Sequence, residues 1–216
     1  MGRKKNLGQR VMIIKTAYQL FVEEGYDKVT TKQVAEACSM AHSLLHYYYP
    51  TKSDLLADIM STMIAKLHSY MASEGVDLSD KPYVYGLFHR LLFESLSINP
   101  KLLGIYQAAL TDGQVIRRWT KYAVERIGIL PPDASEKAKI APYMLTGSMG
   151  QILPLYMDSE INLDLREVTN LALEMYYATS GLTKAWIAAT IGLIDRRMTQ
   201  PFIRGFITDF SDMMHS

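Results

Sequence analysis

Between Thr30 and Lys52 the chain gathers side chains that bind polar surfaces without reacting with them: Thr30, Thr31, Lys32, His42, Ser43, His46, Tyr47 and Lys52. Hydroxyls, imidazoles and ammonium groups at this spacing suit phosphate oxygens and the base edges of a major groove. Leu44, set among them, donates nothing but can meet a thymine methyl. The chain offers little to catalysis. It has no Gly-x-Ser-x-Gly elbow, no His-Glu-x-x-His pair and no phosphate-cradling glycine loop. No catalytic residue is assigned and no cofactor is expected. Cys38, His42 and His46 recur at intervals of four, a spacing compatible with a metal on one helix face. A turn at Ser39 divides that face, so no metal site is assigned.

The elements that must position these groups follow in order. Val11, Ile14, Tyr18 and Phe21 lie on one helical stripe, widened by Ile13, Ala17 and Leu20, that ends at Gly25-Tyr26. Thr30 followed by Gln33 forms the pattern of a capping box, which fixes the start of a short helix over 31–38. Val34 and Ala35 then face inward and Lys32 outward. After a turn at Ser39 and Met40 a second short helix runs from about His42 to Tyr49, with Leu45 and Tyr49 inward. Pro50-Thr51-Lys52 then opens a long helix to about Ser73. Two short helices around a tight turn, braced by a longer one, make a helix-turn-helix.

The chain has 216 residues, 49% hydrophobic and 21% charged, which suits a folded protein with a sizeable core and excludes a disordered one. Helical spacing persists nearly throughout and no alternating strand pattern appears, so the predicted fold class is all-α. Breaks are expected at Gly25, Ser39, Pro50, Gly75–Pro82, Pro100, Gly113, Pro131–Pro132, Ser159–Asn162 and near Pro201. The polar stretch SEGVDLSDKP divides a unit of residues 1–75 from one of residues 76–216. A net charge of +1 argues neither for nor against nucleic acid. The slight basic excess lies at the N-terminal end, much of it in Arg3, Lys4 and Lys5. One cysteine rules out an intramolecular disulfide. With no cleavable leader and no stretch apolar enough to span a membrane, the expected location is cytoplasmic.

With Phe21, Gly25-Tyr26, Thr30, Val34-Ala35, Tyr47-Tyr48-Tyr49, Lys52 and Asp54-Leu55-Leu56 in place, about 55 residues resemble the N-terminal region of the TetR family of bacterial transcriptional repressors. The resemblance implies a three-helix DNA-binding domain with phosphate contacts from Thr30, Tyr47 and Lys52. It also implies base-edge contacts from the front of the recognition helix. The arm of Arg3, Lys4 and Lys5 is open to two readings, a source of sequence-independent affinity or a solvated basic tail. This chain departs from the family pattern in having Ser39 for the turn glycine and Ala41 for a serine cap. Ser43-Leu44 replaces a glycine-threonine pair, and His46 a tyrosine. The departures predict strain at Ser39, because positive φ is unfavourable for serine, and an unusual operator.

The second unit is rich in aromatic and methionine side chains that suit an apolar ligand site, with a few polar groups to orient its occupant. The candidates are His89, Phe93, Tyr106, Gln107, Trp119, Tyr122, Met144 and Gln151. Residues 138–157 carry small residues (Ala141, Gly147, Ser148, Gly150) that permit close helix approach. Asp164 caps a helix from Leu165 to about Ser180 bearing Val168, Leu171 and Met175 on one stripe. The resemblance implies an inducer pocket in this larger helical unit and a homodimer built from two late helices of each subunit. Residues 182–216 add an amphipathic tail. The expected partners are therefore a double-stranded operator, a small-molecule effector and a second copy of the chain, with no membrane. The rival expectation is a helical ligand- or partner-binding protein that retains a degenerate DNA reader.

Overall fold

The computed structural model describes residues 6–215, and among them finds eleven α-helices, two short 3-10 turns and no strand. Helix α1 (Leu7–Glu24) begins where the Asn6 side chain accepts from the Gly8 and Gln9 amides, and stops at Gly25, whose φ of 93° is open to glycine alone. Its buried face is Ile13, Ile14, Ala17, Tyr18 and Phe21. Val11, expected on this stripe, is 47% exposed. It lies beyond the core and overhangs a surface groove of about 420 Å³. A 3-10 turn (Tyr26–Lys28) leads to α2 (Thr31–Ala37), α3 (His42–Tyr48) and α4 (Lys52–Ser73).

After an irregular segment over 74–80 the chain continues as α5 (Lys81–Ile98), α6 (Leu103–Thr111), α7 (Gly113–Ile127), α8 (Glu136–Met157), α9 (Leu165–Thr179), α10 (Lys184–Arg197) and α11 (Gln200–His215). Asp80 caps α5 by accepting from the Tyr83 amide at 3.1 Å, with Pro82 in the first turn where no helical donor is missed. From Val84 to Leu96 every residue of α5 is buried, so this helix is the axis of the larger unit. It packs on α9, α10 and α11, while α8 pairs with α9 and α4 lies along α7. Pro142 and Pro154 do not break α8, which runs through both.

Helix α4 therefore belongs to both halves of the chain. The tail returns to cover it. Tyr70 of α4 donates to the Phe202 carbonyl of α11 at 2.8 Å, and Lys66 pairs with Asp209 at 2.7 Å. Phe210 meets Tyr18 of α1 edge-on, with ring centroids 5.4 Å apart. Gly205 makes room for this crossing, since a Cβ there would stand 2.3 Å from the Tyr70 hydroxyl.

The small residues of α8 do permit close helix approach, and for Gly150 the neighbour is α6 of the same subunit. Ala141 and Gly150 are buried within the subunit, and a Cβ on Gly150 would lie 2.8 Å from the Leu110 carbonyl oxygen of α6. Gly147 alone among the glycines of α8 faces open space. On α9, Val168 is buried, whereas Leu171 is 54% and Met175 is 59% exposed. The three share one helical stripe, as their spacing requires, but only Val168 is covered within the subunit. Both close approaches are open to test. Gly150→Ala and Gly205→Ala are each expected to lower the unfolding free energy by about 1–3 kcal/mol through overpacking, measured by urea denaturation.

Candidate nucleic-acid interface

Helix α2 opens with both halves of its capping box made. The Gln33 amide donates to Thr30 Oγ1 at 3.2 Å and the Thr30 amide donates to Gln33 Oε1 at 2.8 Å. It closes through Ser39 at φ 52°, where the Met40 amide reaches the Ala35 carbonyl at 3.0 Å and the Ser39 amide the Glu36 carbonyl at 2.9 Å. This closure needs a left-handed residue and normally takes glycine. Ser39 therefore holds the conformation anticipated from its place in the turn. Helix α3 starts after Ala41, which supplies no side-chain cap.

The inner side of α3 is Leu45 and Tyr48, followed by Tyr49 at its C-cap, all nearly inaccessible. Its outer side presents His42, Ser43, His46 and Tyr47 to solvent, with Leu44 half-buried beside them. His42 Nε2 stands 3.1 Å from Thr31 Oγ1, a contact that ties the starts of α2 and α3. Thr30 and Lys32 are exposed, and Lys32 lies 3.8 Å from Glu36. Lys52 is drawn inward, with Nζ 4.0 Å from the centre of the Tyr26 ring and 5.9 Å from that of Phe21. Burial lowers its pKa. Arg3 and Lys4 fall outside the described residues. The structure thus gathers Thr31, His42, Ser43, His46 and Tyr47 on one surface and holds Lys52 against an aromatic ring. Cys38 is buried and does not share that surface with the histidines.

Sequence reasoning missed what fixes this surface in place. Tyr48 points inward, where its hydroxyl donates to Gln9 Oε1 and accepts from the Asn6 amide at 3.0 Å. Tyr49 donates to Asp58 of α4 at 2.5 Å, and Arg10 of α1 donates to the same carboxylate oxygen at 2.6 Å. The Arg10 guanidinium, bonded to Tyr49 and Asp58, is held firmly in its charged form. Burial, then the bond to Asp58, raises the Tyr49 pKa. The signal was the run of three tyrosines: at 100° per residue they cannot all face outward. A second attachment joins α4 to α7. Thr51 and Asp54 form a capping box, Ser53 donates to Asp112, and Arg118 pairs with Asp54 at 2.7 Å.

The proposed ligand-contacting residues are not brought to one cavity. His89, Phe93, Tyr106 and Trp119 form a buried row, with successive ring centroids 6.2, 6.5 and 6.3 Å apart. Tyr106 donates to Met63 Sδ of α4 at 2.9 Å, so the row ends against the helix that carries the reader. Gln107 is half-buried, Tyr122 lines a surface groove with Ser61, Lys66 and Met213, and Met144 and Gln151 lie on the exposed side of α8.

Residues 13–59 match the family model of the bacterial regulatory proteins of the tetR family. This segment is a TetR-type helix-turn-helix. Over 50 residues the chain is 30% identical to the uncharacterized HTH-type transcriptional regulator YuxN of Bacillus subtilis (strain 168), a match covering 23% of this chain and 17% of YuxN. The chain thus spans about a sixth of that relative's length. Beyond the TetR segment the likeness is one of fold. A TetR transcriptional regulator from Rhodococcus sp. RHA1 superposes with a TM-score of 0.60 at 17% identity, covering 79% of this chain and 94% of that one. Thermus thermophilus FadR, a TetR-family repressor in complex with lauroyl-CoA, gives 0.52 at 19% identity, covering 77% and 92%. The TetR architecture, an N-terminal helix-turn-helix followed by a larger helical unit, is therefore present along the chain. Among the described residues no helix is long and apolar enough to cross a membrane.

The TetR reader's turn gives a direct test. Ser39→Gly is expected to raise the unfolding free energy by about 0.5–1 kcal/mol, since relief of the left-handed strain exceeds the added chain entropy. Ser39→Val is expected to lower it, and thermal unfolding of the two variants measures the difference.

Proposed function

We propose that this chain is a cytoplasmic, non-enzymatic transcriptional repressor that binds DNA as a homodimer and is released by a small, largely apolar ligand. The observation that carries the reading is the outer face of α3. His42, Ser43, His46 and Tyr47 are presented together, while Tyr48 and Tyr49 fasten the helix from behind to α1 and α4. A rigid helix with mixed donors and acceptors on one side suits a major groove. Thr30, Thr31, Lys32 and Lys52 flank it for phosphate contacts, and the segment of Arg3 and Lys4 supplies further charge. We place the division between reading and ligand-binding units near residue 75.

Two such readers require a two-fold axis and a roughly palindromic operator. The exposed apolar residues of α8 (Ile140, Tyr143, Met144) and of α9 (Leu171, Met175) support an isologous interface there, with Gly147 giving room for close approach. Ligand bound among α5, α6 and α7 would act on α4 through the Tyr106–Met63 contact and the α4–α7 attachments. Each tenfold loss of operator affinity requires about 1.4 kcal/mol of preference for the released state. The lauroyl-CoA complex of Thermus FadR supports a ligand role for a unit of this fold. The uncapped Ala41, the strained Ser39 and the apolar Leu44 favour the rival, a ligand- or partner-binding protein with a degenerate reader.

A gel shift on DNA flanking the chain's own gene, with excess nonspecific competitor, separates the two. The repressor reading expects a two-protomer complex that weakens at least about tenfold in a His42→Ala/Tyr47→Ala variant, the loss of one or two hydrogen bonds to charged groups. Binding no tighter than to competitor, followed by failure to select any genomic fragment, would favour the rival. Leu171→Glu/Met175→Glu is expected to convert the dimer to a folded monomer in light scattering, because it buries like charges at the two-fold interface.

A further inference from the structure

His89 is 1% exposed, and neither of its ring nitrogens has a hydrogen-bond partner among the described residues. Its surroundings are aromatic. The Tyr85 ring lies edge-on at 4.5 Å and the Phe88 ring edge-on at 5.0 Å, while Phe93 stacks beyond it at 6.2 Å. A π face satisfies an N–H less well than an oxygen does. Buried polar groups are nearly always paired, so an imidazole left with both nitrogens idle calls for a specific explanation. Leucine would fill this position without the desolvation cost.

We propose that His89 is the recognition residue for an uncharged effector that both donates and accepts a hydrogen bond, a phenol- or alcohol-like molecule with an apolar body seated among Tyr85, Phe88 and Phe93. This deepens the ligand-responsive reading above and rests on it. The chemistry follows from the two idle atoms. A neutral imidazole carries one donor and one acceptor on different edges of the ring, and a hydroxyl group can pair with either, accepting from the protonated nitrogen or donating to the bare one. Burial holds the ring neutral, with its pKa pushed down to about 3. A carboxylate could use only the donor, and its charge would find no compensation. The buried cation next along α5, Arg90, is already committed, with Nε donating to Glu94 at 2.7 Å and Nη1 standing 2.9 Å from Asp195. An isolated anion in such a place is strongly disfavoured. The site is close-packed, so the ligand makes its room by displacing rings of the row that runs from His89 through Phe93 and Tyr106 to α4. Occupancy and movement of α4 are then the same event.

The test uses the full chain and matched probes: 4-tert-butylphenol, 1-naphthol, and the corresponding carboxylates 4-tert-butylbenzoate and 1-naphthoate. Calorimetry at neutral pH should show the hydroxyl compounds binding at least about tenfold more tightly than the carboxylates. His89→Leu should weaken phenol binding by about tenfold or more, and His89→Gln, which keeps one donor and one acceptor, should restore part of it. In the absence of ligand His89→Leu should raise Tm by roughly 2–4 °C, because an unpaired polar group leaves the core. A residue with a purely structural role would give the opposite sign. No binding by either hydroxyl probe, equal binding of the carboxylates, phenol affinity unchanged in His89→Leu, or a lowered Tm would each overturn the assignment. Operator release is read separately by gel shift. Phenol binding that leaves the DNA complex intact removes the regulatory reading and spares the His89 site. Release by ligands that ignore His89 does the reverse.

Discussion

Helix α4 is continuous, and that continuity constrains everything around it. Its first turn is capped inside the reader by Thr51, while its length lies along α7 and beneath α11. The reader therefore has little freedom of its own. Asp58, part-way along α4, receives Tyr49 from the end of the recognition helix and Arg10 from α1. One carboxylate thus fixes three helices relative to one another. Ser53 with Asp112 and Asp54 with Arg118 fix the same helix to the larger unit, within a few residues of the reader. A displacement of α7 has a direct route to α3, through the continuous helix α4 and the Tyr49–Asp58 bond.

Local grammar explains which parts of this arrangement were legible in the sequence. The box at Thr30 and Gln33 and the left-handed turn at Ser39 are short-range matters, and residues three to five apart encode them. The cap at Asp164 is of the same kind. Periodicity then separated apolar from polar sides well enough to give an all-α chain with its breaks near the observed places. The failures share one cause. Val11, Leu171 and Met175 are as apolar as their buried neighbours, and only the position of a distant helix decides which of them is covered. The spacing predicts Tyr49 inward, as found, but its hydroxyl partner and that of Tyr48 lie on α4 and α1, beyond the reach of local spacing.

The ligand-contacting candidates were chosen by residue type, and type does not specify location. Half of them, His89, Phe93, Tyr106 and Trp119, form a connected row in the interior. Met144 and Gln151 belong to a different surface of α8. Tyrosine and methionine serve pockets, cores and subunit contacts equally well, since each combines a large apolar body with a polar or polarisable tip. His89 is set apart by having both ring nitrogens without a partner among the described residues, a property of three-dimensional surroundings which composition does not carry.

The crossing of α11 over α4 has a consequence for how the molecule is made. Tyr70 and its acceptor on Phe202 are 132 residues apart, and Tyr18 waits still longer for Phe210. During synthesis the first four helices emerge with these apolar flanks bare, and they stay bare until the tail leaves the ribosome and docks. The helix-turn-helix is thus translated before the tail that braces it. A chain interrupted before α11 would leave Tyr70 without its acceptor on Phe202 and Tyr18 without its neighbour Phe210.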